Sequence, residues 1–439
     1  MAKSDYISTK ALISLPDGTV KQRNILTGTQ VWTVPGRGNR PLEVPPINVA
    51  PLSPSDKNCY CAFCPERYSE TPPEKSRIIA TSPGTFEQIN HVSADKMYDT
   101  TAEFRRIPNL FEIVSYTYWN LNHGHVPTSD QRQNMAEYLS TPAGFDHVMK
   151  VVSARLKALG MSEEEISHYD EATMLSHANG FFSGGHDVIV AKRHFVDNAK
   201  DTSQLASSGT LTPDEHGQYM KYTCDSMRDL YEHNPAVRYV VAFQNWLKPA
   251  GASFDHLHKQ LVAIDEHGVQ VDSALERLHK NPHIYRNIMS VVSTHKLEIA
   301  QNEHAVAVAG FGHRYPCIEI WPTGPTSQPW EASPSQVRGV SDLLHAIHAG
   351  TGPHVPCNEE WYHCPPDVTR EMRWRILVKW RVSTLAGFEG GSRIYLNTIS
   401  PWGVRDRLVP ALRKLRQEKR IANLKLGSEC SIYPSDFDQ

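Results

Sequence analysis

Gly251-Ala-Ser-Phe-Asp-His-Leu-His-Lys-Gln-Leu-Val-Ala263 decides the reading of this chain. His256, His258 and Gln260 recur at i, i+2 and i+4 among apolar Leu257, Leu261 and Val262. On an extended strand that period puts all three polar side chains on one face. A strand whose alternate residues simply face water has the same pattern. Two imidazoles and a carboxamide on one face nevertheless suit phosphate chemistry. A neutral imidazole is a nucleophile or a metal ligand, and a primary amide donates to phosphoryl oxygens without acting as an acid.

The 439 residues are enough for a large core in two domains or in two halves of one repeat. With 45 Lys and Arg against 48 Asp and Glu, the net charge of −3 argues against nucleic-acid or membrane-surface binding driven by bulk electrostatics. Met1-Ala-Lys-Ser-Asp-Tyr6 has no apolar signal region, and no stretch of about 18 apolar residues occurs, so a cytoplasmic protein is expected. Eight cysteines spread over this length form no disulfide framework and are read as thiols or metal ligands.

Cys61-Ala-Phe-Cys64, followed by Pro65, has the spacing that lets two thiolates reach one tetrahedral zinc, although a redox pair or two buried thiols share it. Cys59 competes as a ligand. Zinc needs two more donors, no second Cys-x-x-Cys exists, and histidines must supply them. His194 offers one, where the buried strand 188–190 runs out into a loop. His186 opens that strand, where a surface position would account for it, and His123 and His125 are rival donors.

The chain carries a rough internal repeat. Strand 186–190 is followed by Thr212-Pro-Asp-Glu215, whose cap, first-turn proline and acidic third residue announce a helix to near Asn234. Strand 237–245 and the His-x-His-x-Gln strand come next, joined by the turn Lys248-Pro-Ala-Gly251. In the second half, strands 304–308 and 317–321 precede Ser333-Pro-Ser-Gln336, which announces another helix, and strand 373–380 follows. Residues 272–302 read as helices interrupted near Pro282, 116–180 as a helical insertion, and the end beyond about 425 as a polar tail.

Six segments in order resemble the galactose-1-phosphate uridylyltransferase family, a duplicated branch of the histidine-triad superfamily, in the style of its ADP-glucose phosphorylase-like branch. They are 27–41 with Arg37 and Arg40, the Cys61/Cys64 knuckle with Thr71-Pro-Pro-Glu74, and Arg106-Ile-Pro-Asn109-Leu-Phe111. Phe243-Gln-Asn245, Gly251-Ala-Ser253 ahead of the active strand, and 388–401 complete the set. The resemblance implies an α+β fold of tandem histidine-triad-like units, mainly antiparallel sheet flanked by helices. Residues 1–300 would hold the knuckle and active strand, and 301–439 would complete the substrate site. It also implies a nucleotidyltransferase of the UDP-glucose–hexose-1-phosphate uridylyltransferase type, moving a nucleoside monophosphate from an NDP-sugar-like donor to a phosphorylated acceptor. An NDP-sugar phosphorylase, a nucleotide hydrolase and a silent zinc-stabilised nucleotide-binding protein are the alternatives.

By the same resemblance, Cys61, Cys64, His194 and His256 would hold one structural zinc, and His258 would be the nucleophile that forms a nucleotidyl adduct. Gln260 and Ser253 would donate to its phosphate, and Arg37, Arg40, Asn109, Asn245, Phe388 and Asn397 would contact substrate. The partners implied are nucleotide-sugar and sugar-phosphate-like small molecules, neither nucleic acid nor membrane, and the resemblance leaves room for a homodimer. The chain departs from the family where Leu257 replaces the proline between the histidines, with Lys259 next. It also departs where Arg373-Trp374-Arg375 occupies the second-half counterpart, so no second metal is expected.

Overall fold

Two helices form where their caps announce them. Thr212 accepts from the Glu215 amide while the Glu215 carboxylate accepts from the Thr212 amide, and helix Pro213–His233 follows. Ser333 and Gln336 close the same box at the start of helix Pro334–Thr351. Each end thereby satisfies amides that an uncapped helix leaves open.

The computed structural model describes residues 11–36, 41–46, 48–369 and 372–438; Arg37 and Arg40 lie outside them. Its strands are β1 (Leu12–Ser14), β2 (Val20–Arg23), β3 (Gln30–Thr33), β4 (Ser76–Ser82), β5 (Thr85–Asn90), β6 (Phe104–Pro108), β7 (His186–Ala191) and β8 (Tyr239–Trp246). They continue as β9 (His258–Ile264), β10 (Glu298–Gln301), β11 (Ala305–Gly310), β12 (Cys317–Pro322), β13 (Cys357–Tyr362), β14 (Arg375–Trp380), β15 (Ile394–Asn397) and β16 (Lys425–Leu426). Twelve make one antiparallel sheet, ordered β16-β10-β11-β12-β14-β13-β8-β9-β7-β6-β4-β5. Outward from the β8–β13 pairing the two sides match, with β9, β7 and β6 on one side and β14, β12 and β11 on the other. The class is α+β.

One face of this sheet, carrying Ile189, Ala242, Leu261, Ile318 and Ile376, is buried under helices Pro213–His233 and Pro334–Thr351, which pack side by side. The opposite face carries His258, Gln260, Phe243 and Glu360, because Gln260 pairs with Phe243 and Phe243 with Glu360. Over its second half lies a small sheet, β1-β2-β3-β15, in which β15 joins β3 in parallel. Asn24 and Asn397 tie it down through the carbonyls of Phe311 and His313.

Three expectations change. The active strand begins at His258, and His256 lies in the bend before it, so the two rings serve different sites. The second-half strand begins at Arg375 rather than 373. The chain end is no loose tail: β16 pairs with β10, and Phe437 is buried beneath the Arg373 guanidinium. The insertion runs as six helices from Tyr116 to Ser183 around its own core of Val148, Val151, Val152, Phe181 and Phe182. No helix among the described residues is long and apolar enough to cross a membrane.

Candidate metal centre and candidate active site

Four side chains from three places in the chain meet beside β9. Cys61 and Cys64 come from the knuckle, His194 from the loop after β7, and His256 from the bend, their donor atoms all within 4.8 Å of one another. The Cys61 and Cys64 sulfurs are 3.8 Å apart. His194 Nδ1 lies 3.3 and 3.7 Å from them, and His256 Nδ1 3.5 and 3.8 Å. With bonds of about 2.3 Å to sulfur and about 2.0 Å to nitrogen, a tetrahedral zinc has ligand edges of about 3.3–3.8 Å. The spacing therefore fits that ion.

The second shell fits too. His256 Nε2–H donates to the Ala191 carbonyl at 2.6 Å, which fixes the tautomer with an Nδ1 lone pair facing the sulfurs. Burial lowers the pKa of His194, keeping it neutral. The hydrogen bond from Cys61, with His194 and His256 beside it, holds the Cys64 thiol far below its usual range, at about 2, whereas the same bond pushes Cys61 up. Cys59 donates to the Ser55 carbonyl, His123 contacts Asp265, and His125 is not among the clustered donors, so none of the three rivals joins the site.

Two residues along, His258 turns into a cavity of about 290 Å³ whose walls include Phe63, Asn109, Ser253, Phe254 and Gln260. Its Nδ1–H donates to the His256 carbonyl at 2.7 Å, leaving the Nε2 lone pair for the cavity. Burial depresses its pKa to about 4, so the ring is neutral at pH 7. Gln260 is held from below by His186, a residue that sequence reasoning left at the surface. The Ile113 amide donates to His186 Nδ1, which leaves the proton on Nε2, and Nε2 lies 3.1 Å from Gln260 Oε1 and 3.0 Å from the Asn109 amide nitrogen. The Gln260 NH₂ has no partner among the described residues, which leaves it as the donor at the cavity wall. His186 is buried, and no local pattern marks it, because its role depends on β7 pairing with β9.

The other expected contacts scatter. Asn245 lies in an adjoining cavity, accepting from the Asn358 amide at 2.6 Å. Asn397 is buried with its amide on the His313 carbonyl, and Phe388 sits half exposed against Trp32. Glu74 of the Thr-Pro-Pro-Glu segment is structural: buried, it pairs with both Arg77 and Arg105 and so joins β4 to β6. The insertion reaches this wall through His147, whose Nε2 lies 3.0 Å from the Thr71 carbonyl. Lys259 points to the opposite face, fully buried, 2.5 Å from Glu359 and flanked by the rings of Tyr219 and Trp361.

A twelve-stranded antiparallel sheet with a Cys₂His₂ cluster and a buried histidine on the following strand defines an α+β protein of the galactose-1-phosphate uridylyltransferase fold. An ADP-glucose phosphorylase from Arabidopsis thaliana, with ADP-glucose bound, has the same fold at TM-score 0.56 and 18% identity, the match covering 89% of this chain and 97% of that one. A galT-like protein from the same plant matches at TM-score 0.55 and 18% identity, covering 88% and 97%. No curated protein matches the sequence. The model of the family described as DUF4921, a domain of unknown function, matches residues 15–437, and the chain belongs to that family.

Proposed function

We propose that the protein is a nucleotidyltransferase working through a covalent nucleotidyl-histidine at His258. The observation that carries this reading is the neutral, buried His258 ring, anchored by Nδ1–H on the His256 carbonyl and facing a cavity beside the free amide of Gln260. Nε2 attacks the α-phosphorus of an NDP-sugar-like donor. A P–N bond forms, the bridging P–O bond breaks, and the sugar 1-phosphate leaves with the electron pair. The ring then bears positive charge, which the Nδ1–H bond to the carbonyl stabilises. A phosphate oxygen of the acceptor next attacks phosphorus, the P–N bond breaks, and its electrons return to Nε2.

Gln260 and Ser253 neutralise the non-bridging oxygens, the main requirement for attack on an anionic diester. The Gln260 amide donates hydrogen bonds but has no acidic proton to transfer, so the leaving group departs as an anion. Asn109 and Phe111 line the end of the cavity that would take the base, while Arg37 and Arg40 would take the leaving phosphate. Zinc held by Cys61, Cys64, His194 and His256 would fix the bend ahead of His258, a closed four-ligand site with no open position.

A second reading, phosphorolysis with inorganic phosphate as acceptor, gains support from the fold shared along nearly the whole chain with an ADP-glucose phosphorylase. One experiment addresses both. Zinc-replete enzyme given ADP-glucose or UDP-glucose without acceptor should gain the mass of one nucleoside monophosphate, acid-labile and base-stable, and His258→Asn should not. Discharge by glucose 1-phosphate marks a transferase, by inorganic phosphate a phosphorylase, and by water alone a hydrolase. Tight nucleotide binding with no adduct from any common NDP-sugar would overturn the catalytic reading in favour of a silent binding protein.

A further inference from the structure

The open face of the sheet continues past His258 as a polar row. Two residues beyond the Gln260–Phe243 rung stand His258 on β9 and Asn245 on β8, and Asn245 pairs with Asn358 on β13, which pairs with Lys379 on β14. The side chains are linked as well. Asn358 donates to Asn245 Oδ1 at 2.6 Å, and Arg381 donates to Asn358 Oδ1 at 2.6 Å. The row ends in a cavity of about 300 Å³ between the second half of the sheet and the small sheet, with Thr29, Arg314, Tyr315, Lys379, Arg381 and Tyr395 among its walls.

The charges in this cavity do not cancel. Lys379 is neutralised by Glu360 at 2.5 Å. Arg314 and Arg381 have no carboxylate partner among the described residues. Both guanidiniums lie on the same ring, Tyr315, at 5.8 and 4.6 Å from its centroid, and Arg314 also lies over Tyr395 at 5.4 Å. Arg381 Nε is buried without a hydrogen-bond acceptor. Two converging guanidiniums with unused donors form a receptor for a doubly charged oxyanion.

We propose that this cavity is a second oxyanion subsite, fitted in charge to a phosphate monoester on the far end of the acceptor. The inference rests on His258 being the reacting centre. Asn358 on β13, which Arg381 reaches, is two strand steps from β9 and Lys379 on β14 is three, so a bound phosphate lies about 10–14 Å from His258 at about 4.8 Å per step. An acceptor that spans this row carries one phosphate toward His258 and a second anionic group toward Arg314 and Arg381. A sugar bisphosphate has that form.

Calorimetry on the zinc-loaded full chain tests it, with glucose 1-phosphate, glucose 1,6-bisphosphate and glucuronic acid 1-phosphate as probes. The bisphosphate should bind about tenfold tighter than the monophosphate, the gain from one charge-assisted contact. Arg314→Gln, a surface change, and Arg381→Gln should each erase that advantage and leave glucose 1-phosphate affinity and zinc content unchanged. In His258→Asn the advantage should persist, so a failed adduct experiment and a failed subsite are told apart. Equal affinity of the bisphosphate and the monophosphate for wild type, or an advantage that survives both arginine variants, overturns the subsite. Glucuronic acid 1-phosphate binding as tightly as the bisphosphate overturns the assignment to phosphate in favour of a carboxylate.

Discussion

Replacing Lys259 by Met isolates the one charge on the active strand that faces away from the cavity. Lys259 and Glu359 are both fully buried and 2.5 Å apart, and Glu359 also accepts from Trp361 Nε1 at 2.6 Å and contacts His348 Nε2 at 2.8 Å. Burial alone would raise the Glu359 pKa, but Lys259 and His348 hold it below the ordinary carboxylate range. Removing one member of a buried pair costs about 3–5 kcal/mol, because the other charge stays behind. His348 can offset part of this by taking a proton, which favours the lower figure. An unfolding entropy of about 2.1 cal/mol/K per residue, over 439 residues, gives about 0.9 kcal/mol/K, so Lys259→Met should lower the melting midpoint by about 3–5 °C. Lys259→Met combined with Glu359→Leu removes both charges and should recover most of the loss. Differential scanning calorimetry on zinc-replete protein reads both. A single variant within 1 °C of wild type, or a double variant no better than the single, refutes the reading of Lys259 and Glu359 as a buried charged pair.

Purified protein should hold about one zinc per chain, and Cys61→Ser or Cys64→Ser should lose both the metal and thermal stability; full metal retention in both variants contradicts the four-ligand site. Replacing His186 by Phe removes the donor that fixes Gln260, so adduct formation should slow about tenfold or more while zinc content holds, and an unchanged single-turnover rate counts against that positioning role. Burial depresses His147 and His345 to about 4 and His363 to about 3, so the unfolded chain binds their protons first as the pH falls. Stability present above about pH 6.5 should therefore decline toward pH 4, by on the order of 1 kcal/mol per pH unit for each histidine. A urea midpoint that stays flat from pH 6.5 to 4.5 would exclude that linkage.

Local physics made parts of this molecule legible. The capping boxes at Thr212 and Ser333 involve residues three apart, so their helices could be placed from the chain alone. The knuckle was visible for the same reason, and the two histidines that the family resemblance added to it are the ones that meet it. His186 and Lys259 were not legible. His186 acts through a residue 74 positions away, and Lys259 finds its partner 100 positions on, contacts that exist only once β7, β9 and β13 are in register. The different roles of His256 and His258 came from the family resemblance, whereas the strand alternation, which put both rings on one face, fails because the strand begins only at His258 and His256 turns to the cysteines from the bend before it.

The two sides of the sheet match in strand order but not in chemistry. On β14, Arg375 stands two residues before Leu377, as His258 stands two before Gln260 on β9, and each of these strands lies next to the central β8–β13 pair. A guanidinium cannot ligate a cation or attack phosphorus. Arg375 instead stacks on the rings of Trp321 and Tyr362, at 5.3 and 4.9 Å from their centroids. The chemistry of the first half therefore has no counterpart at this position, although the strand order does. What the second half keeps is a concave wall on the same open face, and there Arg314 and Arg381 collect positive charge where the first half has a neutral imidazole and an amide. If His258 is the reacting centre, as we propose, the β9 side of the sheet carries the groups that would work at phosphorus, and the β14 side those that would hold an anion meanwhile.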